Sequence, residues 1–271
     1  MPELPEVEVI ARGLNATLCG RTIRSVDHLD LTRQSDPAEV LCSRLPGRTV
    51  VRVYRRAKVL LVELSDGVTL AFHLKMTGRV VHGPMRKPGR HDRLFLALDD
   101  GSLLSFADMR RFGYVRAMTA GELAEWGFLL RCGPEPLETA PEVLADRIAG
   151  RKSAIKALLL NQSVVAGVGN IYADESLYRA GIHPQARADR LSRGRALKLF
   201  TELQAVLRQA ISENGSSIRD YVNASGDAGA FQNSFNVYGK GGGKCPECGA
   251  PLQTEKVAGR TSTFCPRCQK R

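Results

Sequence analysis

No stretch of eighteen consecutive apolar residues occurs in this 271-residue chain, and no basic segment leads into an apolar run at its start. A membrane-spanning helix and a secretory leader are therefore not expected, and the reading is a cytoplasmic protein. Internal repeats are missing, which leaves solenoids and propellers aside. Acidic residues are in short supply: 28 Asp and Glu face 39 Lys and Arg, a net charge of +11. Cysteine is sparse and odd in number, seven in all. Cys19, Cys42 and Cys132 are scattered and read as core thiols, so a disulfide framework is not expected.

What is present is unevenly distributed. The last 32 residues carry seven basic side chains against two acidic ones, by far the densest positive charge in the chain. With a pI near 9.6, such a tail points to a polyanion, nucleic acid first.

The chain divides by texture. From Pro5 to Leu18, apolar residues recur at three- and four-residue steps, so a helix begins almost at the N-terminus. Apolar, β-branched runs come next, broken by Asp66-Gly67 and Asp100-Gly101, both hairpin signals. Residues 1–130 thus read as an antiparallel sandwich or barrel with an N-terminal helix. After the proline-rich "RCGPEPLE", helical spacing takes over, and residues 131–238 read as a helical domain that ends in a long irregular loop, 215–238. The glycine-rich "GKGGGK" leads into a last unit, 239–271.

That unit holds Cys245, Cys248, Cys265 and Cys268 as two C-x2-C pairs with sixteen residues between them. The spacing fits a zinc ribbon. Four thiolates fill a tetrahedral Zn2+ and leave no open position, so one structural zinc is expected. Its hairpin brings Lys256 and Arg260 to a basic tip.

Three weaker motifs gain weight beside a nucleic acid. "GVGN" between helical segments puts glycines and Asn170 at a helix start, where an ordinary capped turn and a phosphate site look alike; Arg151 and Lys156 upstream would supply charge. "FADMRRFGYV" sets Phe112 beside Arg110 and Arg111, and "HLKMTG" offers Met76. Core packing explains either, but both also suit wedges that fill the gap left by a flipped base.

The opening "MPELPEVEV" raises a chemical question. Removal of Met1 would expose a secondary amine at Pro2. An α-amine titrates at roughly 7.7–8.0, far below lysine, so much of it is neutral and nucleophilic near pH 7. Attack on a sugar's anomeric carbon gives an iminium ion that acidifies the neighbouring carbon and promotes phosphate elimination, with Glu3 as an adjacent proton donor.

"PELPEVE", "RRAKVLL", "HLKMTG", "DMRRFG", "GVGNIYADESL", "GIHP" and the terminal cysteine ribbon occur in order along nearly the whole chain. Together they resemble the bacterial formamidopyrimidine-DNA glycosylases. The resemblance implies an α+β multidomain fold with an N-terminal β-sandwich, a helix–two-turns–helix domain and a zinc ribbon. It implies removal of oxidised purines from damaged double-stranded DNA by a monomer at the nucleoid, followed by β,δ-elimination. Pro2 would be the Schiff-base nucleophile and Glu3 a proton donor, Lys58 would assist β-elimination and Arg260 δ-elimination. His91, Arg110, Arg151 and Asn170 would contact DNA, and Met76, Arg110 and Phe112 would fill the vacated stack. An endonuclease VIII-like glycosylase for oxidised pyrimidines and a non-catalytic zinc-ribbon binder are the competing readings.

Overall fold

The computed structural model describes residues 2–218 and 221–271; Met1, whose removal the sequence reading expects, and residues 219–220 of the long loop lie outside them. The chain forms two compact units, Met1–Leu130 with Glu213–Ala230, and Arg131–Ser212 with Phe231–Arg271.

In the first unit, the expected N-terminal helix is α1 (Leu4–Leu18). It is followed by β1 (Ile23–Leu29), α2 (Ala38–Arg44), β2 (Val50–Arg56), β3 (Val59–Leu64), β4 (Val68–His73), β5 (Gly78–Pro84), β6 (Asp92–Leu98), β7 (Ser102–Asp108), β8 (Tyr114–Thr119), α3 (Ala120–Ala124) and α4 (Gly127–Arg131). The strands make two antiparallel four-stranded sheets, ordered β1-β6-β7-β5 and β2-β3-β4-β8. Both Asp-Gly signals fall at hairpins: Asp66 and Gly67 take φ of 56° and 70° between β3 and β4, and Gly101 takes 82° between β6 and β7. The core joins the apolar stripe of α1 (Val7, Ile10, Leu14, Leu18) to inward residues of both sheets, among them Leu60, Val62, Leu70, Leu94, Leu96 and Phe106. Burial of that stripe, at about 25 cal/mol per Å², fixes the helix on the sheets.

The second unit contains α5 (Pro141–Ile148), α6 (Ile155–Leu160), α7 (Asn170–Ala180) and α8 (Arg193–Ser212), then the ribbon hairpin β9 (Gln253–Val257) and β10 (Arg260–Phe264). α8 packs on α5 and α7. Its buried line of Ala196, Leu199, Phe200, Leu203, Val206, Leu207 and Ala210 follows the helical spacing seen in the sequence.

Two expectations change. The long loop does not stay with the helices: up to Ala230 it belongs to the first unit, and from Phe231 to the second. The reason is local. Tyr221 and Ala224 enter the α1 core, His82 N donates to Ala224 O at 3.2 Å, and Gly13 of α1 faces Ala224 so closely that a Cβ there would lie 2.8 Å from the Ala224 Cβ. The scattered cysteines are not core thiols either. Cys19 lies one residue past the last buried turn of α1, Cys42 lies on the outer side of α2, and both are exposed; Cys132 is half-buried.

Gly13→Ala should therefore loosen the loop although alanine is the better helix former. The helix would gain roughly 0.5–1 kcal/mol, against an overpacking cost of about 1–3 kcal/mol. Hydrogen exchange should quicken at the His82 amide, with a net loss of about 1 kcal/mol in chemical denaturation.

Candidate active site and nucleic-acid interface

In the first unit the site starts at the first turn of α1. Glu3 is the N-cap, with φ −107° and ψ −167°, and Pro5 occupies the first turn, where its missing N–H costs nothing. Glu3 and Glu6 form a reciprocal capping box in which Glu3 N donates to Glu6 Oε2 at 2.8 Å. Pro2 and Glu3 are buried, so the entry into α1 is held rather than frayed. Glu6 is a functional residue that sequence reasoning misses, and it does more than cap. Its Oε1 accepts Ser216 N at 2.9 Å, and its carbonyl accepts the Tyr221 hydroxyl at 3.4 Å. Glu three residues after the N-cap is the available signal; the bond to Ser216 has none.

Lys58 lies in the two-residue turn Ala57–Lys58 that joins β2 to β3, closed by the Arg56–Val59 pair. Ala57 adopts φ 53° and is buried, and Lys58 is only 8% exposed. Arg55 ties this turn to α1: its Nε donates to Glu8 Oε2 at 3.0 Å and its Nη1 to Ala57 O at 3.2 Å. Burial raises the Glu8 carboxyl, but the hydrogen bonds and charges of Arg12 and Arg55 outweigh it and hold the group below its ordinary range. Val59, next to Lys58, pairs across the sheet with His73. His73 is buried among the rings of Tyr114 and Phe128, and its Nδ1 accepts Lys75 N at 3.2 Å. Desolvation first, then the charges of Lys75 and Lys58, push it down to about 3.

The three wedge candidates share one support. Asp108, at the end of β7 and 1% exposed, accepts Gly113 N at 2.7 Å and Arg110 N at 3.2 Å, and it also accepts the Thr77 hydroxyl. Thr77 follows Met76 in the β4–β5 turn, so one carboxylate holds the Met76 turn and the Arg110–Phe112 loop together. Gly113 is required at the exit, because a Cβ there would lie 2.8 Å from Phe106 Cζ. Arg111, at φ 56°, turns back to Asp30 with bonds of 2.6 and 2.8 Å, and that pairing lowers the Asp30 carboxyl to about 2. Phe112 is left 47% exposed with the Arg110 guanidinium 4.7 Å from its ring centre, and Met76 is 36% exposed. A large aromatic is thus held exposed on a buried polar support. His91 is exposed, and its carbonyl accepts Asp108 N at 2.8 Å.

In the second unit, Gly169 rather than Asn170 caps α7, and Asn170 is its first residue. The Asn170 amide donates to Thr261 O at 3.0 Å, so it links the helix start to the ribbon hairpin. Gly167 takes φ 79°, with its N–H on Gln162 Oε1 at 2.9 Å, and Gln162 Nε2 donates to Val168 O at 2.8 Å. Gln162 thus braces the two turns, a role the sequence does not suggest. Arg151 is exposed just beyond α5, with its Nε on Arg147 O at 2.9 Å.

Lys156 departs from the expectation that it supplies charge to a phosphate. It is fully buried, and Nζ donates to Asp174 Oδ1 at 2.7 Å, Ser262 Oγ at 2.6 Å and Thr261 O at 3.2 Å. Burial pushes the Asp174 carboxyl up to about 6 against the pull of Lys156. The ammonium therefore braces β10 from inside. Arg260 heads that strand, exposed beyond a two-residue turn, Ala258–Gly259, at φ 50° and 71°.

The four ribbon sulfurs lie within 4.8 Å of one another, with Cys245–Cys268 at 3.8 Å and Cys248–Cys265 at 3.5 Å. Zn–S bonds of about 2.3 Å imply a tetrahedron edge of about 3.8 Å, so these donors fit zinc.

The neutral His73 beside the Lys58 turn has a consequence for acid stability. Its folded value lies below the free value of 6.5, so the unfolded chain binds the extra proton between pH 6.5 and about 3. Stability from this group falls as pH drops through that window. His73→Asn keeps an acceptor for Lys75 N without titrating. Denaturation between pH 7 and 4 should show a shallower loss for the variant, smaller by a few kcal/mol at roughly 1.4 per pH unit.

Three family models match in succession: the formamidopyrimidine-DNA glycosylase N-terminal domain over residues 1–115, the H2TH domain of the same enzymes over 132–222, and a zinc finger found in FPG and IleRS over 242–271. The formamidopyrimidine-DNA glycosylase of Desulforamulus reducens is 42% identical over 275 residues, covering 100% of this chain and 99% of that one. That of Nitratidesulfovibrio vulgaris is 58% identical over 202 residues, which are 74% of this chain and 55% of that relative's length. Among solved structures, the complex of a Lactococcus lactis FPG variant with Fapy-dG-containing DNA has a TM-score of 0.91 at 37% identity and covers 100% of both chains. By sequence over its whole length and by fold, the chain belongs to the formamidopyrimidine-DNA glycosylase family.

Proposed function

We propose that this protein is a base-excision-repair glycosylase for oxidised purines in duplex DNA, and that it cleaves the strand afterwards through a Schiff base at Pro2. The observation that carries this reading is the buried, capped start of α1, which fixes the chain's first residues beside Glu3 and ties them through Glu6 to the 213–230 loop. The Fapy-dG-containing DNA held by the Lactococcus lactis neighbour supports a purine lesion as substrate.

In the proposed sequence the Pro2 lone pair attacks C1′, and the base departs with the glycosidic electrons and takes up the proton that the Pro2 nitrogen sheds. Glu3 protonates the ring oxygen as the sugar opens, leaving a C1′ iminium. Loss of a C2′ proton sends electrons into a C2′–C3′ double bond and expels the 3′-phosphate, with Lys58 neutralising the leaving oxygen. A second elimination expels the 5′-phosphate with help from Arg260. Met76, Arg110 and Phe112 fill the stack the nucleotide has left, and His91, Arg151 and Asn170 hold phosphates. One Zn2+ on Cys245, Cys248, Cys265 and Cys268 would keep the Arg260 hairpin folded.

Borohydride added to the Met1-trimmed protein and an 8-oxoguanine duplex should give a covalent complex that maps to Pro2, and a retained methionine or N-terminal tag should abolish it. Trapping through an internal lysine, or preference for an oxidised-pyrimidine duplex, would reject the assignment. Phe112→Ala should slow duplex excision about ten- to a hundredfold, in line with roughly 1–3 kcal/mol per lost stack, with zinc content unchanged in metal analysis.

A further inference from the structure

Tyr178 lies in the last turns of α7 and is 5% exposed. Its hydroxyl is 3.3 Å from Cys245 Sγ, and Cys245 is 3% exposed. Both belong to a small cluster with Val237, Ala250, Leu252 and Cys265, where a phenylalanine would fill the same space without a polar atom to satisfy. A metal-bound thiolate has no proton, so in the zinc-loaded protein the hydroxyl donates and the sulfur accepts. α7 also holds the ribbon and the segment before it nearby on the helix: Asn170 Nδ2 donates to Thr261 O at 3.0 Å, Asp174 takes Thr263 N at 3.2 Å, and Glu175 takes the backbone N–H groups of Asn236, Val237 and Tyr238 at 2.8–2.9 Å. Those two carboxylates hold backbone. Tyr178 alone of the four reaches a sulfur of the metal centre.

We propose that Tyr178 is a positioning residue for the zinc centre: its O–H bond to Cys245 draws electron density from that sulfur, anchors it to α7 and slows its reaction with electrophiles. The proposal rests on the zinc reading above. A hydrogen bond to a thiolate lowers its nucleophilicity, and outer partners of this kind tune metal retention. Cys248 and Cys268 are half-buried and are the sulfurs that react first. With a maleimide, a sulfur lone pair forms the S–C bond, the resulting enolate takes a proton from water, and the thioether releases its hold on Zn2+.

The test uses the full zinc-loaded chain, with Tyr178→Phe as the variant because it keeps the ring and removes only the donor. Metal analysis comes first, and absence of zinc from the parent protein would overturn the zinc reading and this proposal with it. With one zinc in each protein, N-ethylmaleimide in the presence of a chromogenic chelator should release zinc from the variant on the order of tenfold faster, as expected for one lost hydrogen bond to a charged group. Peptide mapping should find Cys245 labelled after Cys248 and Cys268 in the parent and earlier in the variant. In Co2+-substituted protein, the sulfur-to-metal charge-transfer band should move to longer wavelength in the variant, a change that lost packing does not produce. Replacing Tyr178 with 4-aminophenylalanine, which restores a donor, should reverse all three effects. Equal release rates, an unchanged labelling order and an unshifted band in Tyr178→Phe would overturn the proposal.

Discussion

The Glu6 carboxylate is the interaction on which the first unit's site depends. It is 1% exposed, and its two oxygens serve segments more than 200 residues apart in the chain: one takes Glu3 N at the start of α1, the other Ser216 N at the start of the loop segment, 210 residues from Glu6 itself. A buried carboxylate is costly unless hydrogen-bonded, and here the bonds that offset its burial also fix where the chain begins. The proposed Pro2 nucleophile would face an entropy problem, because terminal residues fray. The capping box removes that freedom, and the Ser216 bond makes the same anchor serve the 213–230 loop.

The second unit solves a similar problem with one helix. Asp174 and Glu175 are adjacent on α7, both buried, and they point their oxygens at different segments: Asp174 at Lys156 and β10, Glu175 at the backbone of residues 236–238. Buried ion pairs contribute little net stability, since desolvation offsets attraction. Their effect is to fix register, and the element so fixed is the hairpin that Arg260 heads.

Elements governed by local periodicity are legible in the sequence. The stripe of α1, the Asp-Gly hairpins, the buried line of α8 and the paired cysteines each show spacing that one physical rule explains. The 213–230 segment escapes such a rule because its membership depends on Tyr221 and Ala224 meeting α1, a contact with no local signature. Lys156 misleads for a related reason: lysine is seldom buried, so its place beside Ile155 and Leu159 on a buried face gives no warning, and its partner Asp174 lies 18 residues on. Glu6, Asp108 and Gln162 stay hidden because each is defined by what it joins.

The Asp108 support also separates where two side chains stand from what they are. The carboxylate grips the N–H groups of Arg110 and Gly113 and the Thr77 hydroxyl, so it holds the two turns without touching the exposed Met76 and Phe112 side chains. Under the proposed function the carboxylate is the holder and the side chains at 76 and 112 are the tips it presents, so losing the holder would displace both tips at once.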